Sequence, residues 1–208
     1  MMFIEEGIED LMERLRKSFS TVILTIDLAV KSYLENNPRV DDVMEMSREL
    51  ERVHNEIADR TFELIVRYQP VASDLRRIRS CMEISYGFMR FGRYAKDIVE
   101  VLRDFGELNC SREPVEKAWK ITREMMEKAF RSFEEVNEDI AKEVAKMDND
   151  VDEIYSSYLR KAISGEESTK CALAVTLILR YLERMADHAV QIADKTIYMK
   201  TGEYGTLK

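Results

Sequence analysis

The chain has 208 residues, 40 acidic and 32 basic, for a net charge of −8, and only seven glycines and three prolines. So little Gly and Pro excludes turn-rich β-sandwiches and barrels, and 45% hydrophobic against 35% charged residues excludes a disordered chain. No apolar run approaches the roughly 18 residues of a membrane-spanning helix. The acidic stretch Met1–Asp10 lacks the order of a signal peptide, and a net acidic chain is a poor nucleic-acid binder.

Helical periodicity runs throughout, punctuated at Asn36-Asn37-Pro38, Gln69-Pro70, Phe105-Gly106 through Glu113-Pro114, and Ser164-Gly165. The pattern predicts helices over 4–35, 40–68, 71–105, 114–135, 138–163 and 167–201. The break near Val136-Asn137 is the weakest marked, since it carries neither Gly nor Pro. Apolar seams run along Val43, Met46, Leu50, Val53 and Ile57 in the second helix and along Ile84, Phe88, Phe91, Ala95, Ile98, Leu102 and Phe105 in the third. Ile140, Val144, Met147, Val151 and Ile154 repeat the seam in the fifth, and Val175, Ile178, Leu182, Met185, Ala189 and Ile192 in the sixth. Trp119, Met125, Met126 and Phe130 supply the core of the fourth.

Short connections make neighbouring helices antiparallel. Residues 1–104 and 105–208 each carry 16 basic and 20 acidic side chains, which invites a search for a repeat. The expected fold is all-α: two tandem antiparallel three-helix bundles, over 1–106 and 107–208, joined near Gly106–Glu113. Helices of about 30 residues are about 45 Å long, so an elongated molecule is expected. The three cysteines, Cys81, Cys110 and Cys171, are odd in number and far apart. They are expected as reduced, buried or half-buried residues with no disulfide.

Carboxylates stand one position beyond the seam. Asp148 and Asp152 do so on the fifth helix, Glu183 and Asp187 on the sixth, each pair at i, i+4 and therefore on one helix face. Equal offsets on antiparallel helices point to the same side of their shared seam. Asp148 and Asp187 are equidistant from the turn at Ser164–Ser168, as are Asp152 and Glu183. Four carboxylates therefore face one another across one groove, an oxygen-rich setting that suits a hard cation. Gln191 and Asp194 continue the stripe as further oxygen donors. His188 is rotated away from it, and Glu51-x-x-His54 is a lone unit of a type that di-iron sites need twice. Arg76, Arg77, Arg79, Arg90 and Arg93 make the third helix locally basic, either as a solvated face or as a surface for an acidic partner.

The run Arg180-Tyr181-Leu182-Glu183-Arg184-Met185-Ala186-Asp187-His188-Ala189-Val190-Gln191-Ile192-Ala193-Asp194 resembles the RYLERIGDHAxNIAE signature of the PhoU family, regulators of phosphate uptake. Gln69-Pro70-Val71-Ala72-Ser73-Asp74-Leu75-Arg76 is similar to that family's QPVAxDLR segment. The resemblance implies the same pair of three-helix bundles and (Glu/Asp)-x-x-x-Asp motifs that bind metal clusters. Carried over, these motifs fall on Asp148/Asp152 and Glu183/Asp187. The implied ligand is a divalent or trivalent ion, iron or zinc first, magnesium or manganese as alternatives.

Aligning the repeats at an offset of 94 to 97 residues sets Met89 opposite Glu183, Arg93 opposite Asp187, and Glu51 and Asn55 opposite Asp148 and Asp152. The first groove should then hold a Glu51–Arg93 ion pair and the neutral pair Asn55–Met89, with Asp59 and Asp97 as outlying oxygens. The implied function is a non-enzymatic cytoplasmic adaptor between a phosphate ABC importer and a membrane sensor histidine kinase. It would lie at the inner membrane face through protein partners, with a homodimer open. No Gly-rich phosphate loop or nucleophile–base pair argues for catalysis. The alternatives are a similar regulator of another transporter, for instance of cations, and a ferritin-like metal-dependent enzyme.

Overall fold

The computed structural model describes residues 2–207, with side chains over 4–207. Its six helices are α1 (Met2–Leu34), α2 (Val40–Tyr68), α3 (Ala72–Phe105), α4 (Glu113–Glu135), α5 (Glu138–Ser164) and α6 (Thr169–Thr201). Among the described residues there is no strand. The outer ends of the two expected units, residues 1 and 208, lie outside the described residues. Helices α1, α2 and α3 pack together, as do α4, α5 and α6.

The helix ends follow local chemistry. At the unmarked break, Val136 takes a left-handed conformation (φ 52°) and closes α4, while the Asn137 side chain accepts from the amides of Asp139 and Ile140 to start α5. That is a costly conformation for a β-branched residue, which is why the sequence signalled it weakly. Gly165 at φ 80° ends α5, and the Ser168 hydroxyl caps α6 by accepting from the Cys171 amide. Within the first bundle α3 comes close to α2 at Gly92, where a Cβ would stand 2.7 Å from a Leu50 methyl.

The seams are buried as expected: Ile84, Phe88, Phe91, Ala95, Ile98 and Leu102 on α3, and Val175, Ile178, Leu182, Met185, Ala189 and Ile192 on α6. The two bundles nevertheless share one continuous core. Helix α3 packs on α6 and α1 touches α4. Phe130 of α4 meets Phe19 of α1 and Phe88 of α3, with ring centroids 4.8 and 5.4 Å apart. Trp119 donates to Asp27 of α1, whose two oxygens also take Arg123 of α4. The α3–α6 pair is antiparallel: Arg76 donates to the Met199 carbonyl at one end, and Tyr94 meets Tyr181 and His188 towards the other. Tyr94 and His188 occupy the same place in the two repeats, so an approximate two-fold axis passes between them.

The cysteine expectation is overturned. Cys110 and Cys171 form a disulfide, with Cα atoms 5.5 Å apart. Sequence spacing hid the pair because 61 residues separate the two positions, whereas the antiparallel α5–α6 hairpin returns the start of α6 to the connection after α3. Cys81 alone stays a buried thiol, and burial pushes its pKa up to about 12. The connection is a strap pinned from both sides. Asn36 exchanges two hydrogen bonds with Leu108, Tyr33 donates to the Ser111 carbonyl, and Lys170 donates to the Glu107 carbonyl. Closing so long a loop restricts the unfolded chain by about 4 kcal/mol in the chain-entropy model. Reduction, or Cys110→Ser, should therefore lower the thermal midpoint by roughly 10 °C; equal melting curves in oxidising and reducing buffer would contradict this.

Candidate metal centre

The candidate groove runs along the α5–α6 hairpin. Glu183 and Asp187 sit on α6 and are half-buried; Asp148 is half-buried and Asp152 exposed on α5. The backbone therefore delivers each pair one residue off the buried seam, at its edge rather than inside it. Asp150 and Glu153 face solvent.

Glu183 is the most constrained of the four. Its side chain keeps 12% of its accessible surface. Oε1 accepts from Arg180 Nη1 at 2.6 Å, while Oε2 is buried with no hydrogen-bond partner. Burial raises its pKa above the usual carboxylate value. Arg180 opposes the rise, and the negative charges of Asp187 and Asp152 add to it. Asp152 on α5 and Asp187 one turn along α6 thus lie within electrostatic reach of the orphaned oxygen. As the side chains stand, no group of three or more Asp, Glu, His or Cys among the described residues closes into a metal-binding set. Oxygen donors and an unpartnered buried carboxylate oxygen are nonetheless the chemistry a hard cation requires. Arg180 is the neighbour that the sequence reading passed over. Its i, i+3 spacing to Glu183 was the available signal.

Two of the extra oxygen donors are corrected. Asp194 is buried and committed to the chain's end: Oδ1 accepts from the Thr206 amide and hydroxyl, and Oδ2 from the Gly205 amide. Gln191 lines a separate cavity between α2, α3 and α6.

The first groove differs in another way from expectation. Met89 is buried, while Glu51, Asn55 and Arg93 are exposed. No ion pair among the described residues joins Glu51 to Arg93, and Arg93 instead lies near Asp97, one turn along its own helix. Burial, then the neighbouring Glu100, raises the Asp97 pKa. Asp59 is exposed. His54 of the lone Glu-x-x-His unit bonds through Nδ1 to the Ser85 hydroxyl rather than to a carboxylate. The basic residues of α3 divide: Arg79 pairs with Glu83, Arg90 donates to the Tyr94 hydroxyl, and Arg76 to a backbone carbonyl.

With chelator present, Glu183 should make stability fall with rising pH. The unfolded chain gives up this proton at the ordinary carboxylate pKa, while the folded chain holds it to a higher pH. Stability contributed below the ordinary value is therefore lost as pH rises through the folded value. Glu183→Gln should remove that component and melt higher at neutral pH. A variant with the same pH slope as the parent, or a lower neutral midpoint, would contradict the assignment.

Comparison with known proteins agrees with this architecture. The family described as "PhoU domain" matches residues 15–102 and again 115–196. The chain is 29% identical over 202 residues to the phosphate-specific transport system accessory protein PhoU homolog 1 of Methanothermobacter thermautotrophicus, covering 94% of this chain and 91% of that one. It is 25% identical to the PhoU homolog of Archaeoglobus fulgidus over 97% of both chains. Among solved structures, PhoU from Pseudomonas aeruginosa superposes with a TM-score of 0.89 at 26% identity, over 96% of this chain and 99% of that one. The phosphate transport system regulatory protein PhoU from Streptococcus pneumoniae shares the fold with a TM-score of 0.90 at 19% identity, over 97% and 99%.

Proposed function

The chain belongs to the PhoU family, and we propose that it is an accessory regulator of phosphate uptake, a metal-binding adaptor between a phosphate ABC importer and a sensor histidine kinase. The observation that carries this reading is the near end-to-end match to relatives named as phosphate-specific transport accessory proteins, through both repeats. Among the described residues no helix is long and apolar enough to cross a membrane. In this reading the protein works at the inner membrane face through its partners, as a regulator rather than a catalyst. Exposed Phe62, Val66, Val71 and Leu75 around the α2–α3 turn supply apolar surface of the kind that protein partners cover.

The ligands proposed for the metal are Asp148, Asp152, Glu183 and Asp187, with iron or zinc ahead of magnesium or manganese. The support is the buried, unpartnered Oε2 of Glu183 among like charges. A bound cation would supply positive charge there, holding α5 and α6 together where their carboxylates otherwise repel. Glu183 would then be held ionised, with Arg180 retaining its other oxygen. The first groove offers no comparable set, because Met89 and Arg93 stand where the second has Glu183 and Asp187.

The reading is tested in cells and in vitro. Deleting the protein should release phosphate uptake from restraint when phosphate is plentiful, and affinity capture from membranes should bring down the importer. Unchanged phosphate uptake with altered uptake of another ion would overturn the phosphate assignment. Asp187→Arg removes a ligand and adds a repulsion of about 4 kcal/mol per unit of cation charge at 4 Å for an effective dielectric of 20. Zinc or manganese affinity, measured by equilibrium dialysis, should fall at least about a hundredfold. Unchanged binding in the variant would exclude this groove as the metal centre.

A further inference from the structure

The two histidines of the chain line one cavity of about 360 Å³ between α2, α3 and α6. It is separate from the carboxylate groove, since none of Asp148, Asp152, Glu183 and Asp187 lines it. The α3–α6 contact creates it: Gly87 carries no side chain, and a Cβ there would stand 3.1 Å from the Ile192 side chain. A volume of this order falls in the range of small-molecule sites, about 300–1,000 Å³. The walls combine apolar surface from Met82 and Ile192 with three rings, those of His54, His188 and Tyr86. Tyr86 is 47% exposed and meets His54 edge-on, with centroids 5.8 Å apart.

The polar groups have defined roles. The Ser85 hydroxyl lies 2.7 Å from the Met82 carbonyl and 2.8 Å from His54 Nδ1, and fixes the orientation of the imidazole. With Nδ1 engaged by Ser85, Nε2 is the ring nitrogen left to a ligand, as an acceptor when Nδ1 carries the proton and as a donor in the other tautomer. Burial lowers the pKa of His54, which favours the neutral ring, and the charge of Glu51 opposes the shift. His188 is positioned by the Tyr94 hydroxyl, 3.3 Å from Nε2. Gln191 brings an amide with both a donor and an acceptor. Glu83 and Lys195 line the cavity as an ion pair, and Arg79, just outside the lining, also pairs with Glu83, leaving two cations against one carboxylate.

We propose that this cavity binds a flat heteroaromatic base of the adenine type, as a nucleoside or a nucleotide. Aromatic walls suit a planar ring. A glutamine amide matches the adjacent amine and ring nitrogen of adenine, the pairing it makes in nucleic-acid recognition. His54 Nε2 can hydrogen-bond the edge of the ligand, and the surplus cation beside the cavity suits a phosphate tail.

The test is calorimetric titration of the purified full chain with adenosine, AMP, ATP and inorganic phosphate, in EDTA so that no metal in the carboxylate groove can recruit phosphate. Saturable one-to-one binding of adenosine or its nucleotides is expected, with the gain from adenosine to AMP measuring the rim's share. Ala58→Trp, which fills the cavity from α2, should weaken binding at least tenfold. Tyr86→Ala, at an exposed ring that cannot unfold the core, should weaken it severalfold, with unchanged circular dichroism. No saturable binding at millimolar ligand, full competition of AMP by inorganic phosphate, or binding indifferent to both substitutions would overturn the proposal. None of these results bears on transporter regulation, because no transporter is present.

Discussion

Antiparallel packing of α3 on α6 is the constraint from which the rest of the molecule follows. Each of these helices is the most buried member of its own three-helix group, and each presents a second apolar face to the other. That second face explains why Gly87 is buried although it lies off the intrabundle seam: a Cβ there would stand 3.1 Å from the Ile192 side chain. It also makes the two groups one folding unit with a continuous core, reinforced by Asp27 holding Trp119 and Arg123 across the α1–α4 contact. Because α3 and α6 run in opposite directions, the α2–α3 turn lies beside the end of α6, and the α5–α6 turn beside the connection after α3. The disulfide and the pinned strap belong to the second of these ends.

Against that stable frame the α5–α6 carboxylates are a local cost. Like charges at i, i+4 weaken a helix by a few tenths of a kcal/mol, and an unpartnered buried oxygen on Glu183 costs more. Arg180 relieves one oxygen and leaves the other. The sister repeat shows that the fold does not need this arrangement. Met89 and Arg93 occupy the corresponding places on α3, one buried against the core and the other in solvent. A feature that opposes stability in one repeat and is absent from the other is of the kind associated with function rather than with folding.

Much of this was legible in the sequence. Helix limits come within two residues of expectation wherever Gly, Pro or Asn punctuates the chain, and hairpin symmetry set Asp152 level with Glu183, whose pKa it raises. What the sequence did not disclose depends on contacts between elements far apart in the chain. The Cys110–Cys171 bond, the return of residues 205–206 to Asp194, and the meeting of His54 with His188 in one cavity all require the relative placement of helices. Single-helix periodicity carries no such information. The Glu51–Arg93 pair failed for the opposite reason. Both side chains stay in solvent, where neighbours on their own helices compete and an exposed pair gains little.

Anomalous scattering from crystals grown with zinc or manganese tests the asymmetry of the two grooves most directly. One site is predicted between α5 and α6, at Asp148, Asp152, Glu183 and Asp187, and none between α2 and α3 beside Met89 and Arg93. Peaks of equal height in both grooves, or an α5–α6 groove without a peak while metal binds elsewhere, would contradict it.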